Sequence, residues 1–256
     1  MSRSVVAILL LILFLGSPSA REITVAAAAD LNYALQDLAA RFEKKTGDKT
    51  VTLSFGSSGN LFSEIQSGAP YDLFLSADEQ YPQRLAAAGL MDPASLRSFV
   101  VGHLVLWVRN GSGLDPQKLK MDLLLEPSVE HIAIASPQHA PYGRAAMAAL
   151  THFGLKDKLA SKLVFGESVS QAAQFVQSGN AQAGLIALSL AMSPAMRAAG
   201  TYWRLPPDSY PELLQAAGII SASRRKQAAQ AFLDYVTSPE GAAVLEHYGF
   251  TVPAGK

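Results

Sequence analysis

Ile23-Thr24-Val25-Ala26-Ala27-Ala28-Ala29-Asp30-Leu31 decides how the chain is read. Ile23 to Ala29 is short and apolar throughout, the pattern of a strand buried on both faces. From Leu31 the period changes. Leu31, Ala34, Leu35, Leu38, Ala39 and Phe42 recur at helical spacing, and Gly47 ends the helix. A buried strand that turns directly into an amphipathic helix is the opening unit of an α/β fold.

The same unit recurs downstream. Thr50 to Phe55 reads as a strand, Gly56-Ser57-Ser58-Gly59-Asn60 as a turn, and Leu61, Phe62 and Ile65 as a helix stopped by Gly68 and Pro70. Leu73 to Leu75 is a further short strand. After Leu96 the pattern resumes, with strands at Leu104–Val108, Ile132–Ala135, Leu163–Phe165 and Ala183–Ala187. Helices are expected from about Arg144, behind Pro141-Tyr142-Gly143, and over Ser170–Gln177. Gly218–Ser221 reads as a last strand, before amphipathic helices at Arg225–Thr237 and Pro239–Tyr248. Two α/β units of similar size with a late segment left over predict two lobes joined by crossing connections, with mostly parallel mixed sheets flanked by helices. The expected division is 21–100 plus 222–256 for the first lobe and 101–221 for the second.

The N-terminus fixes the expected compartment. Arg3 supplies a positive charge, Val5 to Leu15 is unbroken apolar sequence, and Gly16-Ser17-Pro18-Ser19-Ala20 supplies small residues. That is the pattern of a cleaved signal peptide over 1–20, and the run is shorter than the ~18 residues a spanning helix needs. The mature chain is expected in the periplasm. It lacks the Cys that a lipid anchor would need: there is none among the 256 residues, which also removes thiol catalysis, thiolate metal sites and disulfides. Lys plus Arg number 21 and Asp plus Glu 21. That balance gives no basis for binding nucleic acid.

Three strand-to-helix turns stand out: Ala29-Asp30-Leu31, Gly56-Ser57-Ser58-Gly59 and Pro141-Tyr142-Gly143. The free N–H groups and positive dipole end of a helix start favour an anion, and Ser58 adds a hydroxyl. The same Asp and Ser residues are ordinary N-caps, which leaves a purely structural role open for each. Enzyme signals are weaker. Gly56-Ser57-Ser58-Gly59 is one residue short of a Gly-x-Ser-x-Gly nucleophile elbow. His103, His131, His139, His152 and His247 include no pair at metal-binding helical spacing. A secreted hydrolase using Ser58 remains as the rival from another class.

These segments together resemble the periplasmic molybdate-binding proteins of ABC importers. The most specific is Gly68-Ala69-Pro70-Tyr71-Asp72-Leu73-Phe74-Leu75-Ser76-Ala77-Asp78. Ile23 to Leu31, Ser54 to Gly59, Pro141 to Ala145, Glu167-Ser168-Val169 and Tyr248-Gly249-Phe250 support it. The resemblance implies a two-lobed, type II-like periplasmic-binding-protein fold that closes on a tetrahedral dianion with neutral donors. It further implies molybdate or tungstate as the ligand, no cofactor, no catalysis, an ABC permease as partner and a monomeric receptor. A receptor for sulfate or a phosphate-like ion is the alternative. By position, the oxyanion is held by Asp30, Ser58 and the backbone N–H groups of Tyr142 and Val169.

Two positions depart from the pattern. The family's tyrosine hydroxyl falls on Ala187, which has no side-chain donor, and the Tyr142 phenol is a candidate replacement. Many members carry Ser where this chain has Asp30. A carboxylate beside a dianion calls for one of three resolutions: Asp30 caps its own helix at Asn32 or Tyr33, it pairs with Arg144, or it accepts a proton from the ligand.

Overall fold

The computed structural model describes residues 22–47 and 51–253; the expected signal peptide lies outside them. The strands are β1 (Ile23–Ala28), β2 (Val51–Gly56), β3 (Leu73–Ser76), β4 (Arg97–Gly102), β5 (Leu104–Arg109), β6 (Ile132–Ala135), β7 (Leu163–Gly166), β8 (Ala183–Ala187), β9 (Gly200–Arg204) and β10 (Leu213–Ile219). The helices are α1 (Asn32–Thr46), α2 (Ser58–Gln66), α3 (Gln80–Ala87), α4 (Pro116–Leu119), α5 (Pro141–His152), α6 (Lys156–Leu159), α7 (Val169–Ser178), α8 (Leu188–Ala191), α9 (Pro194–Ala199), α10 (Lys226–Val236) and α11 (Pro239–His247). A single 3-10 turn, Ala29–Leu31, joins β1 to α1.

The strands form two five-stranded sheets, ordered β2-β1-β3-β10-β4 and β7-β6-β8-β5-β9. Each has a parallel half and an antiparallel half. β1 runs parallel to β2 and β3, and β6 runs parallel to β7 and β8. β10 runs antiparallel to β3 and β4, and β5 runs antiparallel to β8 and β9. Sheets of this kind need both faces covered. β1, β3, β6 and β8 are accordingly buried along almost their whole length.

The chain passes from the first sheet to the second at His103, between β4 and β5, and returns between β9 and β10. The return therefore comes before Leu213, and the expected boundary at 221 is too late by one strand. Gly218–Ser221, counted with the second lobe, overlaps the end of β10, which begins at Leu213 and pairs with β3 and β4 of the first sheet, Gln215 completely buried within it. α10 and α11 complete the first lobe, where Phe42 of α1 packs its ring 5.3 Å from Phe232 and 5.5 Å from Tyr235. β4 and β9 are strands that hydrophobic alternation did not reveal. α5 begins at Pro141 rather than Arg144, since Pro is suited to the first helical position, where no N–H is required.

In the second sheet, the fully buried Trp107 of β5 lies against β9 at Gly200, where a Cβ would stand 2.2 Å from the indole Cζ2 and 2.3 Å from Val108 O. Neither neighbour can yield in a packed interior. Gly200→Ala is expected to cost about 1–3 kcal/mol, read as a lower urea midpoint with an unchanged m-value. An unchanged midpoint would show that this edge of the sheet is loosely packed.

Candidate functional site

Three helix starts and the β1–α1 turn meet between the lobes. They enclose a small space walled by Ala28, Ala29, Asp30, Gly56, Ser57, Ser58 and Ala77 on the first-lobe side and by Ala140, Pro141, Tyr142 and Val169 on the second-lobe side. The walls stand at the carboxyl ends of the parallel strands, where an open α/β sheet presents its helix N-termini. The structure thus brings together all four expected site residues: Asp30, Ser58, Tyr142 and Val169. Each is nearly inaccessible, at 1%, 1%, 2% and 4% exposure. No Lys or Arg lines the space.

The two serines of the second turn divide the work. Ser57 is the N-cap of α2, its oxygen accepting from Asn60 N–H at 3.4 Å. Ser58 is not a cap. Its Oγ accepts from Ala77 N–H at 3.0 Å, which orients the side chain and leaves its hydrogen available to donate. On the opposite wall Ser168 caps α7 through Gln171 N–H, so Val169 is the first helical residue with its N–H uncommitted to the helix. Tyr142 holds the second position of α5, where the N–H is likewise free of a helical partner.

The Tyr142 side chain does something else. Its ring is buried, and its hydroxyl crosses into the first lobe, against Gly102 at the end of β4 and beside Gln215. A Cβ on Gly102 would lie 2.2 Å from this oxygen and 3.0 Å from Gln215 Nε2. The phenol is therefore seated beneath the cleft, next to the Asp30 carboxyl, and is not turned towards the enclosed space as a substitute for the hydroxyl missing at Ala187. Ala187 itself is fully buried at the end of β8.

Asp30 takes neither of the two charge-neutralising arrangements its sequence position allowed within the protein. No side-chain cap bond is present at the 3-10 turn or at α1. Arg144 pairs with Asp78 and also donates to Tyr81 Oη at 3.2 Å. Asp30 Oδ2 instead accepts from Gln215 Nε2 at 2.5 Å. Burial pushes the Asp30 carboxyl up to about 6, against smaller opposing effects from Gln215, from Tyr142 and from the N–H groups of Asp30 and Leu31. The reciprocal effect raises the Tyr142 phenol well above its ordinary value, through burial first and the neighbouring carboxylate second.

Contacts between the lobes converge on these turns. Ser170 Oγ donates to Ala29 O at 2.9 Å, and Ser189 Oγ donates to Asp30 O at 2.7 Å. Gly59 N–H donates to His139 O at 2.8 Å; a Cβ at Gly59 would stand 2.6 Å from that oxygen, so only glycine permits the approach. Ser170, Ser189, Gln215, Asp78 and Tyr81 were not legible as site residues, because their partners are distant in sequence. A larger cavity of about 570 Å³ lies at the other end of the first lobe, between Gly68–Asp72 and Ser221–Arg225. Its buried acid, Asp72, is fully engaged with Thr24 N–H, Ser223 Oγ and Arg225, and has the look of a structural clamp.

The raised carboxyl sets a pH dependence. The folded chain holds the Asp30 proton more tightly than the unfolded chain does, so stability falls as pH rises between about 4 and 6. Above that window the buried charge costs on the order of 3 kcal/mol. Asp30→Asn is expected to unfold at higher urea than the native protein at pH 8, with the difference vanishing towards pH 4. A variant less stable at pH 8 would show that the carboxylate is well satisfied by its donors.

Comparison with known proteins gives the arrangement a family. Residues 23–251 match the model for bacterial extracellular solute-binding proteins. The chain is 39% identical over 231 residues to the molybdate-binding protein ModA of Azotobacter vinelandii, covering 90% of each chain. It is 36% identical over 243 residues to ModA of Rhodobacter capsulatus, covering 94% of this chain and 93% of that one. The solved Azotobacter vinelandii periplasmic molybdate-binding protein superposes with a TM-score of 0.85 at 36% identity, covering 91% of this chain and all of that one. The chain belongs to the bacterial extracellular solute-binding protein family.

Proposed function

We propose that this chain captures molybdate, with tungstate as the closely similar second ligand, and delivers it to the permease of an ABC importer. The observation that carries the reading is the meeting of neutral helix starts from both lobes around one enclosed space that no cation lines. A buried dianion loses its hydration and must recover it through charge-assisted hydrogen bonds, each worth roughly 1.5–3 kcal/mol. In this reading the backbone N–H groups of Asp30, Tyr142 and Val169 and the Ser58 hydroxyl provide them. Relatives named as molybdate-binding proteins, similar along nearly the whole chain, support the ligand.

The Ser58 oxygen is oriented by the Ala77 N–H, and among the described residues no histidine is hydrogen-bonded to it, which supports a binding role for this hydroxyl. Arg3, Val5–Leu15 and the small residues before Arg21 support export to the periplasm through a cleaved signal peptide, where the receptor is proposed to act as a monomer. No helix among the described residues is long and apolar enough to cross a membrane.

A thermal-shift screen with molybdate, tungstate, sulfate and phosphate tests the reading. A ligand at 100 times its Kd adds about 2.7 kcal/mol to stability, so molybdate and tungstate are expected to raise Tm and the other two to leave it unchanged at equal concentration. A shift with sulfate or phosphate alone would reassign the ligand. Ser58→Ala is expected to weaken molybdate binding about ten-fold, the value of one such hydrogen bond. Unchanged affinity by calorimetry would remove Ser58 from the contact set.

A further inference from the structure

Beneath the cleft lies a cluster of polar atoms that anion binding by itself does not explain. Asp30 Oδ1, Tyr142 Oη and Gln215 Oε1 are all buried, and none has a well-aligned hydrogen-bond partner among the described residues. They come from three elements: the β1–α1 turn, α5 and β10. Gly102 closes the notch, since even a methyl there would collide with the phenol oxygen.

Counting hydrogens shows what the cluster lacks. With Asp30 ionised, the acceptors are its two oxygens, Gln215 Oε1 and the phenol oxygen. The side-chain hydrogens are those of one amide group and one phenol, beside the Asp30 and Leu31 N–H groups that act on the carboxyl alone. One amide hydrogen already serves Asp30 Oδ2. If the phenol hydrogen turns to Oδ1, the buried Gln215 Oε1 is left without a protein donor, which is costly. A proton on Asp30 supplies the missing donor, and removes the one negative charge beside a site built for a dianion.

We infer that capture of the anion is coupled to the uptake of one proton from solvent by the Asp30 carboxylate, and that Tyr142, which reaches the carboxyl from the opposite lobe, is the positioning residue that sets the pH at which this uptake begins. The inference rests on the anion-receptor reading above. The incoming dianion raises the free energy of the ionised carboxylate one peptide away, and the carboxyl becomes a neutral acid. The phenol reaches the carboxyl from the opposite lobe, so the cluster is assembled when the lobes meet. When the lobes part and the anion leaves, the proton returns to solvent.

The surroundings hold few competing charges. The side chains that meet Asp30 or its turn are Gln215 from β10, Tyr142 from α5, Ser189 from α8 and Ser170 from α7. Of these only Tyr142 titrates, and Tyr210 stands behind it. Arg144 is held by Asp78 on the cleft rim. His103, at the lobe crossing, is hydrogen-bonded to Thr251 and is kept below its ordinary range by burial and by Arg204. The pH at which the ligand-free protein releases the Asp30 proton sets the lower edge of the working window; with the lobes together, burial raises that carboxyl to about 6. Below it Asp30 already carries the proton and affinity is flat. Above it, binding draws a proton in, and affinity falls by up to ten-fold per pH unit.

The test is calorimetry of the mature protein with molybdate from pH 5 to 8.5, in pairs of buffers that differ in ionisation enthalpy. Near pH 7.5 the native protein is expected to take up close to one proton per anion bound. Asp30→Asn should bind with no proton uptake and with an affinity independent of pH. Tyr142→Phe removes a donor that favours the carboxylate, so its fall in affinity should begin at a higher pH than in the native protein. The native proton count needs no variant, so it decides even if Asp30→Asn fails to fold. Binding by the native protein without proton uptake, or uptake that persists in Asp30→Asn, would overturn the coupling while leaving the receptor role intact. An unmoved onset in Tyr142→Phe would overturn the part assigned to Tyr142. Absence of binding to molybdate and to tungstate at every pH would overturn the receptor reading and the coupling together.

Discussion

A buried carboxyl group, Asp30, beside the proposed site for a doubly charged anion is the constraint around which this molecule is arranged. At ~4 Å and an effective dielectric of 20, a unit charge and a dianion repel by about 8 kcal/mol, enough to cancel several hydrogen bonds. Asp30 is nevertheless almost completely buried there. The fold turns its side chain away from the enclosed space and leaves its backbone at the wall. To receive that side chain the first sheet carries a glutamine in the centre of β10 and a glycine at the end of β4. Both would be poor choices in a sheet that had nothing to accommodate.

Lobe closure obeys the same logic. Ser170 and Ser189 of the second lobe donate to the carbonyls of Ala29 and Asp30, and Gly59 of the first lobe donates to His139. These bonds fix the turns whose N–H groups point at the cleft. The geometry that holds the lobes together is thus the geometry that holds the donors in place, and a ligand that prefers the donors in place shifts the population towards closure. The Arg144–Asp78 pair, with Tyr81, adds the one ionic contact at this junction among the described residues and keeps its charge outside the walls of the proposed site.

How much of this can be read in the sequence depends on the range of the interaction. The strand-to-helix turns were visible because strand period, helix period and turn chemistry are local: Ile23 to Phe42 and Ser54 to Ile65 each specify their element from within. The four residues that the structure gathers around the cleft are legible as a set only through the family resemblance, position by position. The place of β10 in the first sheet was not legible, because its partners β3 and β4 are distant in sequence. The Tyr142 hydroxyl and the Arg144 guanidinium were placed by analogy with nearby motif positions, and both have partners set by lobe packing: Gly102, Gln215 and Asp30 for the first, Asp78 and Tyr81 for the second. Side-chain direction at a junction of two lobes is a tertiary property, and no window of sequence contains it.

Neutral donors also bear on selectivity. A site made of lysine or arginine would attract any dianion, because long flexible cations adapt their reach to the ion presented. Here the donors are backbone N–H groups at helix starts, braced by parallel strands, together with one hydroxyl already fixed by Ala77 N–H. Such groups cannot follow a smaller ion inwards without moving whole elements in a close-packed interior. Tetrahedral oxyanions all present four oxygens and differ in how far those oxygens stand from the centre. A rigid neutral shell therefore sorts them by size, and loses that power if the charge beneath it varies. With the coupling inferred above, Asp30 stays out of the proposed shell and is neutral when the shell is full, which lets size alone decide.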